Sequence, residues 1–123
     1  VVTPPPSDHL LPGITRDSVM RIARDLGCDV REESLTRDDV FAAEELFFTG
    51  TAAEVTPIRE VDGQPIGNGA VGPVTRELQA AFFAAVRGAT PAYREWLTLL
   101  RPPITATDGN LRQMTGSVSA NVK

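Results

Sequence analysis

Hydrophobic and polar positions along the chain switch repeatedly between a helical and an alternating period. Val19, Ile22, Ala23 and Leu26 fall at i, i+3, i+4 and i+7, and predict a helix over 15–26 with one apolar face. Gly13 precedes it and Gly27 follows, where a left-handed residue commonly ends a helix. Cys28–Leu35 reads as a short strand with Cys28, Val30 and Leu35 turned inward. Thr36 suits the N-cap of a short helix over 37–43, with Asp38 and Asp39 at its positive end. Glu45–Thr49 contains Leu-Phe-Phe, an apolar run suited to a buried strand that Gly50 breaks. Val55–Val61 and Gln64–Ile66 flank Asp62-Gly63, a strong two-residue hairpin signal. Gly72-Pro73 opens the next helix with Pro at its first position; Val74, Leu78, Ala81, Phe82 and Ala85 line one face, and Gly88 ends it. Pro91 opens a last helix through Leu100, with Tyr93, Trp96, Leu97 and Leu100 as its stripe and Trp96 as its anchor. The expected class is mixed α/β (α+β), with strands too short and few to close a full core alone.

The ends are different in character. Residues 1–8, VVTPPPSD, are Pro-rich and extended in expectation. Residues 101–123 are polar, rich in Ser, Thr, Asn and Gly, and without a period, so a flexible tail is expected after a domain over 1–100. Apolar residues make up 41% and charged residues 23% of the 123, as in soluble globular proteins. No apolar run approaches the ~20 residues that cross a bilayer, which argues against a membrane partner. A net charge of −4 argues against general nucleic-acid binding. The single His, His9, cannot build a His-cluster metal site, and no metal is expected. The single Cys, Cys28, has no internal disulfide partner and is read as core. The only lysine is Lys123.

Two segments carry candidate chemistry. In Leu11-Pro12-Gly13-Ile14-Thr15-Arg16 a Gly turn runs directly into a helix N-terminus, whose free N–H groups and positive dipole end can hold a phosphate. An ordinary capped helix start explains the same letters. In Phe48-Thr49-Gly50-Thr51-Ala52-Ala53-Glu54 a strand ends in Gly, a hydroxyl residue and two small residues, exposing successive N–H groups as a nest for a carboxylate or phosphate. A plain strand-to-strand turn is the alternative. Gly67-Asn68-Gly69-Ala70-Val71-Gly72 fits G-x-G-x-x-G, but it follows a hairpin and lacks a correctly spaced acidic residue, so it reads as a structural connection. Glu44-Glu45 and Asp38-Asp39 are adjacent pairs whose side chains diverge, and read as solvated charges or helix caps. No serine nucleophile elbow is present.

These segments, their order and the residues between them resemble the C-terminal half of the fold-type IV pyridoxal-phosphate enzymes, most closely the branched-chain amino acid aminotransferases. The resemblance rests on Thr3-Pro4-Pro5, Leu11 to Asp17, Ala43 to Pro57, Asp62-Gly63 and Gly72-Pro73-Val74-Thr75. The first motif is shared with D-amino-acid aminotransferases and aminodeoxychorismate lyases; Gly50-Thr51-Ala52-Ala53-Glu54 favours the branched-chain group. Ala43-Glu44-Glu45 departs mildly from the family's Ala-Asp-Glu. The resemblance implies that Gly13, Ile14, Thr15 and Thr51 hold the phosphate of pyridoxal 5'-phosphate, and that Ala52 and Ala53 offer N–H groups to the substrate carboxylate. It implies a cytoplasmic homo-oligomer moving amino groups between Leu, Ile or Val and 2-oxoglutarate. The family's Schiff-base lysine lies upstream of the Thr-Pro-Pro segment, so no catalytic residue is assigned and the chain alone is expected to be an inactive fragment. A non-enzymatic anion-binding or interaction module is the reading from a different class.

Overall fold

The apolar face of the first helix lies at the centre of the core. In the computed structural model, which describes residues 1–98, helix α1 spans Ile14–Asp25 and buries Val19, Met20, Ile22 and Ala23. Leu26, expected on that face, is the C-cap residue and exposed; the helix already unwinds there, and Met20 is buried in the stripe instead. Gly27, at φ +83°, turns the chain out of the helix. Helix α2 spans Arg37–Ala42 behind Thr36, whose hydroxyl accepts from the Asp39 N–H while the Asp39 carboxylate accepts from the Thr36 N–H. Hydrogen bonds from the Thr36 hydroxyl and then its amide hold the Asp39 carboxyl below its ordinary pKa.

Helix α3 spans Pro73–Val86 and packs on α1. It buries Leu78, Phe82 and Ala85 as expected, leaves Val74 largely exposed, and buries Thr75 completely. The core joins Val19, Ile22 and Ala23 of α1, Leu78, Phe82 and Ala85 of α3, Val55 and Tyr93, with Cys28 and Val30 half-buried against it.

Among the described residues, six short strands form three separate pairs. β1 (Val2–Thr3) and β2 (Arg31–Glu32) are parallel; β3 (Phe47–Gly50) and β4 (Glu54–Pro57) are antiparallel, as are β5 (Glu60–Val61) and β6 (Gln64–Pro65). The expected strand over Cys28–Leu35 therefore shrinks to Arg31–Glu32, because only these residues align with β1. Gly50 does not break β3 but pairs with Glu54, and β3 is not wholly buried: Phe48 stands 61% exposed. The expected strand over Val55–Val61 is divided between β4 and β5, each with its own partner. Asp62-Gly63 does make the β5–β6 turn, with φ of +51° and +74°, the two positive angles a type I′ turn requires.

The last element differs from expectation. Pro91–Trp96 is a 3-10 helix, not an α-helix, and Leu97 leaves it with extended backbone. In a 3-10 helix residues i and i+3 eclipse, and Tyr93 and Trp96 stack with ring centroids 4.4 Å apart. The buried anchor is Tyr93, whose hydroxyl donates to Asp25 at 2.8 Å; Trp96 is half-buried. Leu100 and residues 101–123 lie outside the described residues.

Candidate functional site

Helix α1 opens with bare amides. Its N-cap, Gly13, supplies no side-chain hydrogen bond, and the Asp17 N–H is the donor that reaches the Gly13 carbonyl, at 3.1 Å. The N–H groups of Ile14, Thr15 and Arg16 therefore have no intrahelical acceptor, and the positive end of the helix dipole adds to their pull on an anion. Gly13 sits at φ −88° with room for a side chain, so its contribution is an unobstructed approach rather than an unusual backbone conformation.

Arg16 fixes this helix end to the rest of the fold. Its side chain is only 14% exposed. Nε donates to the Thr3 hydroxyl at 3.1 Å, and Nη2 donates to the Pro4 carbonyl at 2.8 Å and to Glu32 Oε2 at 2.7 Å. One guanidinium thus gathers α1, the exit of β1 and β2.

The second segment is the three-residue loop of the β3–β4 hairpin, Thr51-Ala52-Ala53, closed by the Gly50–Glu54 pair. Glu54, at φ +51°, takes a left-handed backbone where the loop rejoins β4. The Thr56 hydroxyl donates to the Ala53 carbonyl and holds the loop from below. Thr51 and Ala52 are exposed, Ala53 half-buried.

α1 packs on β3, the strand that leads into the second turn. Arg16, next to Thr15, and Thr49, two residues before Thr51, line one cavity of about 310 Å³. Ile14 and Thr15 themselves face a second cavity of about 160 Å³, shared with Phe82 and Trp96; Thr51, Ala52 and Ala53 line neither.

The Glu44-Glu45 segment has a structural role the sequence left open. The Glu45 carboxylate accepts from the N–H groups of Val74 at 3.1 Å and Thr75 at 2.7 Å, capping α3 from 30 residues away. Burial pushes the Glu45 carboxyl up, but hydrogen bonding from Thr75 and then from the Val74 amide outweighs it and the pKa falls below its ordinary value. The Gly67–Gly72 connection wraps this segment: a Cβ on Gly67, at φ +54°, would overlap the Glu44 carbonyl, and one on Gly72 would overlap the Glu45 side chain. These glycines serve close packing, not a dinucleotide. Thr75 Oγ1 is buried without a hydrogen-bond partner and lines the larger cavity. Nothing in local spacing marks Glu45 as a cap for a helix so far along the chain. Among the described residues no group of three His, Cys, Asp or Glu side chains is placed to hold a metal, and no helix is long and apolar enough to cross a membrane.

The model of the amino-transferase class IV family matches residues 1–61. The chain is 52% identical to the branched-chain-amino-acid aminotransferase of Pseudomonas aeruginosa over 101 residues, 82% of this chain and 33% of that protein. It is 48% identical to the enzyme of that name from Escherichia coli K12 over 95 residues, 77% of this chain and 31% of that protein. Among solved structures, the branched-chain aminotransferase of Thermoproteus uzoniensis with norvaline superposes with a TM-score of 0.75 at 45% identity, covering 79% of this chain and 32% of that one. A second solved branched-chain amino acid aminotransferase, from T.th. and carrying pyridoxamine 5'-phosphate, gives 0.73 at 52% identity, over 74% and 30%. The chain thus spans about a third of the length of the curated relatives it matches. With the open helix terminus, the small-residue hairpin loop and the paired α1 and β3 all falling in this shared frame, the chain belongs to the class IV aminotransferases.

Proposed function

We propose that this chain supplies the phosphate cradle and the substrate-carboxylate amides of a pyridoxal-phosphate-dependent transaminase acting on branched-chain L-amino acids and 2-oxoglutarate. The observation that carries it is the uncapped N-terminus of α1, with three free amides, on a helix packed against the strand that delivers the Thr51-Ala52-Ala53 loop. The relatives' names and the pyridoxamine phosphate in one solved structure support it.

The donor set suits a phosphate dianion. Amides of Ile14 and Thr15 and the hydroxyl of Thr15 approach from the helix end, behind the bare Gly13. The Thr51 hydroxyl and amide would hold the same phosphate from the hairpin loop, and the amides of Ala52 and Ala53, with only methyl side chains beside them, would be offered to a substrate carboxylate. When bound, pyridoxal phosphate supplies the electron sink that stabilises negative charge on the substrate α-carbon. The residues of this chain hold and orient; the amine that accepts and returns a proton in transamination is assigned to no residue here, because Lys123, the one lysine, lies outside the residues that the family model matches. The chain by itself is expected to bind without turnover. The partners proposed are an amino acid, a 2-oxo acid and further copies of the complete protein, in the cytoplasm, where the free thiol of Cys28 is stable.

The test is binding of pyridoxal 5'-phosphate to the ¹⁵N-labelled chain. Amide shifts are expected at Ile14 to Arg16 and at Thr51 to Ala53. Thr15→Val and Thr51→Val, each removing one hydroxyl donor to a charged group, should raise Kd about tenfold. Shifts confined to other residues, or unchanged Kd in both variants, would overturn the assignment.

A further inference from the structure

We infer that Arg16 is a positioning residue for the anion cradle: it locks the first turn of α1 in place, and does not act as a cation on the bound phosphate. This inference rests on the cofactor assignment above and goes beyond it, since the Arg16 side chain has no part in the donor set proposed there.

Three observations carry it. Arg16 directly follows Ile14-Thr15, so any shift of its backbone moves the amides proposed to bind phosphate. Its guanidinium is already committed, to the Thr3 hydroxyl, the Pro4 carbonyl and Glu32, and is only 14% exposed. It lines the 310 Å³ cavity together with Thr49, whereas Ile14 and Thr15 line the 160 Å³ one, so Arg16 and the two residues proposed to bind the anion border different spaces.

The physical need is clear from the helix end itself. With no side-chain cap on Gly13, the first three amides have no local acceptor and only the Asp17–Gly13 backbone bond closes the first turn, so this end is open to fraying. A planar guanidinium donating to three acceptors on two other segments replaces that missing cap through tertiary contacts. Lysine cannot reproduce it, because its ammonium is a single point with no fork geometry. Glu32 completes the clamp: it neutralises the guanidinium and fixes its rotamer.

The two roles differ in sign at Glu32. If Arg16 served as a charge for the phosphate, removing the competing carboxylate in Glu32→Gln would free it and tighten anion binding. If Arg16 positions the helix, Glu32→Gln loosens the clamp and weakens binding. The experiment measures pyridoxal 5'-phosphate Kd and amide hydrogen exchange in the ¹⁵N-labelled chain for the unsubstituted protein, Arg16→Gln, Arg16→Lys and Glu32→Gln. Exchange at Asp17, whose amide is bonded to the Gly13 carbonyl in the first turn, is expected to speed up about tenfold in all three variants, with Leu78 and Phe82 amides of α3 unchanged as the check on folding. Kd should rise about tenfold in Arg16→Gln, rise in Glu32→Gln, and not be rescued by Arg16→Lys. Tighter or unchanged binding in Glu32→Gln, or full rescue by Arg16→Lys, would overturn the positioning role while leaving the cofactor assignment standing. Absence of shifts at Ile14 to Arg16 in the unsubstituted chain would overturn the cofactor assignment and, with it, this role. Exchange also reports separately on the clamp: unchanged first-turn exchange in Arg16→Gln refutes it whatever the cofactor does.

Discussion

Replacing Glu45 tests how α3 is held. Its carboxylate accepts two amide hydrogen bonds at the start of a 14-residue helix, at 3.1 and 2.7 Å. Glu45→Ala leaves the Val74 and Thr75 amides without acceptors and removes a negative charge from the positive helix end. Loss of an N-cap costs ~1 kcal/mol and loss of the dipole interaction another ~0.5 kcal/mol. Thr75 is wholly buried, so its amide cannot recover a water easily, and ~2 kcal/mol in total is expected. Glu45→Gln keeps one acceptor and should cost roughly half as much. Urea unfolding followed by Trp96 fluorescence measures both. The pH dependence sharpens the test. The folded pKa of Glu45 lies below its ordinary value of 4.5, so its contribution is fully present above that value and is lost as pH falls through the lower folded pKa. The gap between the native chain and Glu45→Gln should therefore be constant from pH 7 to about pH 5 and close at more acid pH. A gap that persists undiminished at acid pH, or Glu45→Gln as stable as the native chain at pH 7, would refute the cap.

Two further outcomes follow from the packing. Gly67→Ala combines a positive φ with overlap of its Cβ and the Glu44 backbone carbonyl, so thermal unfolding should fall by an amount corresponding to ~2–3 kcal/mol; a change below ~0.5 kcal/mol would show that the connection relaxes freely. Tyr93, the chain's single tyrosine, is raised above its ordinary pKa of 10.0 first by burial and then by its hydrogen bond to Asp25. Its stabilising contribution is present below pH 10 and is lost as the pH rises through the folded value, so absorbance at alkaline pH should show tyrosinate forming above pH 10 together with unfolding. Ionisation at or below pH 10 in the folded chain would contradict the buried placement.

Much of the local structure was legible in the residues themselves. The α1 and α3 stripes, Thr36 as a cap, the Asp62-Gly63 turn and Gly27 and Gly88 as helix stops all depend on interactions within a few residues. The two amide-rich turns were visible for the same reason: Gly13 before a helix and Gly50-Thr51-Ala52-Ala53 after an apolar run are statements about local backbone and side-chain size. Only tertiary structure decided which extended residues pair, since Arg31–Glu32 is a strand solely because Val2–Thr3 lies beside it. It likewise decided that Glu45, readable as a solvated charge or a helix cap, caps a helix 30 residues on, and it turned Arg16 from a cradle neighbour into a clamp on Thr3, Pro4 and Glu32. Periodicity encodes which face of an element is apolar. It carries no record of which distant polar group will meet a free amide or carboxylate, because that depends on how the elements pack.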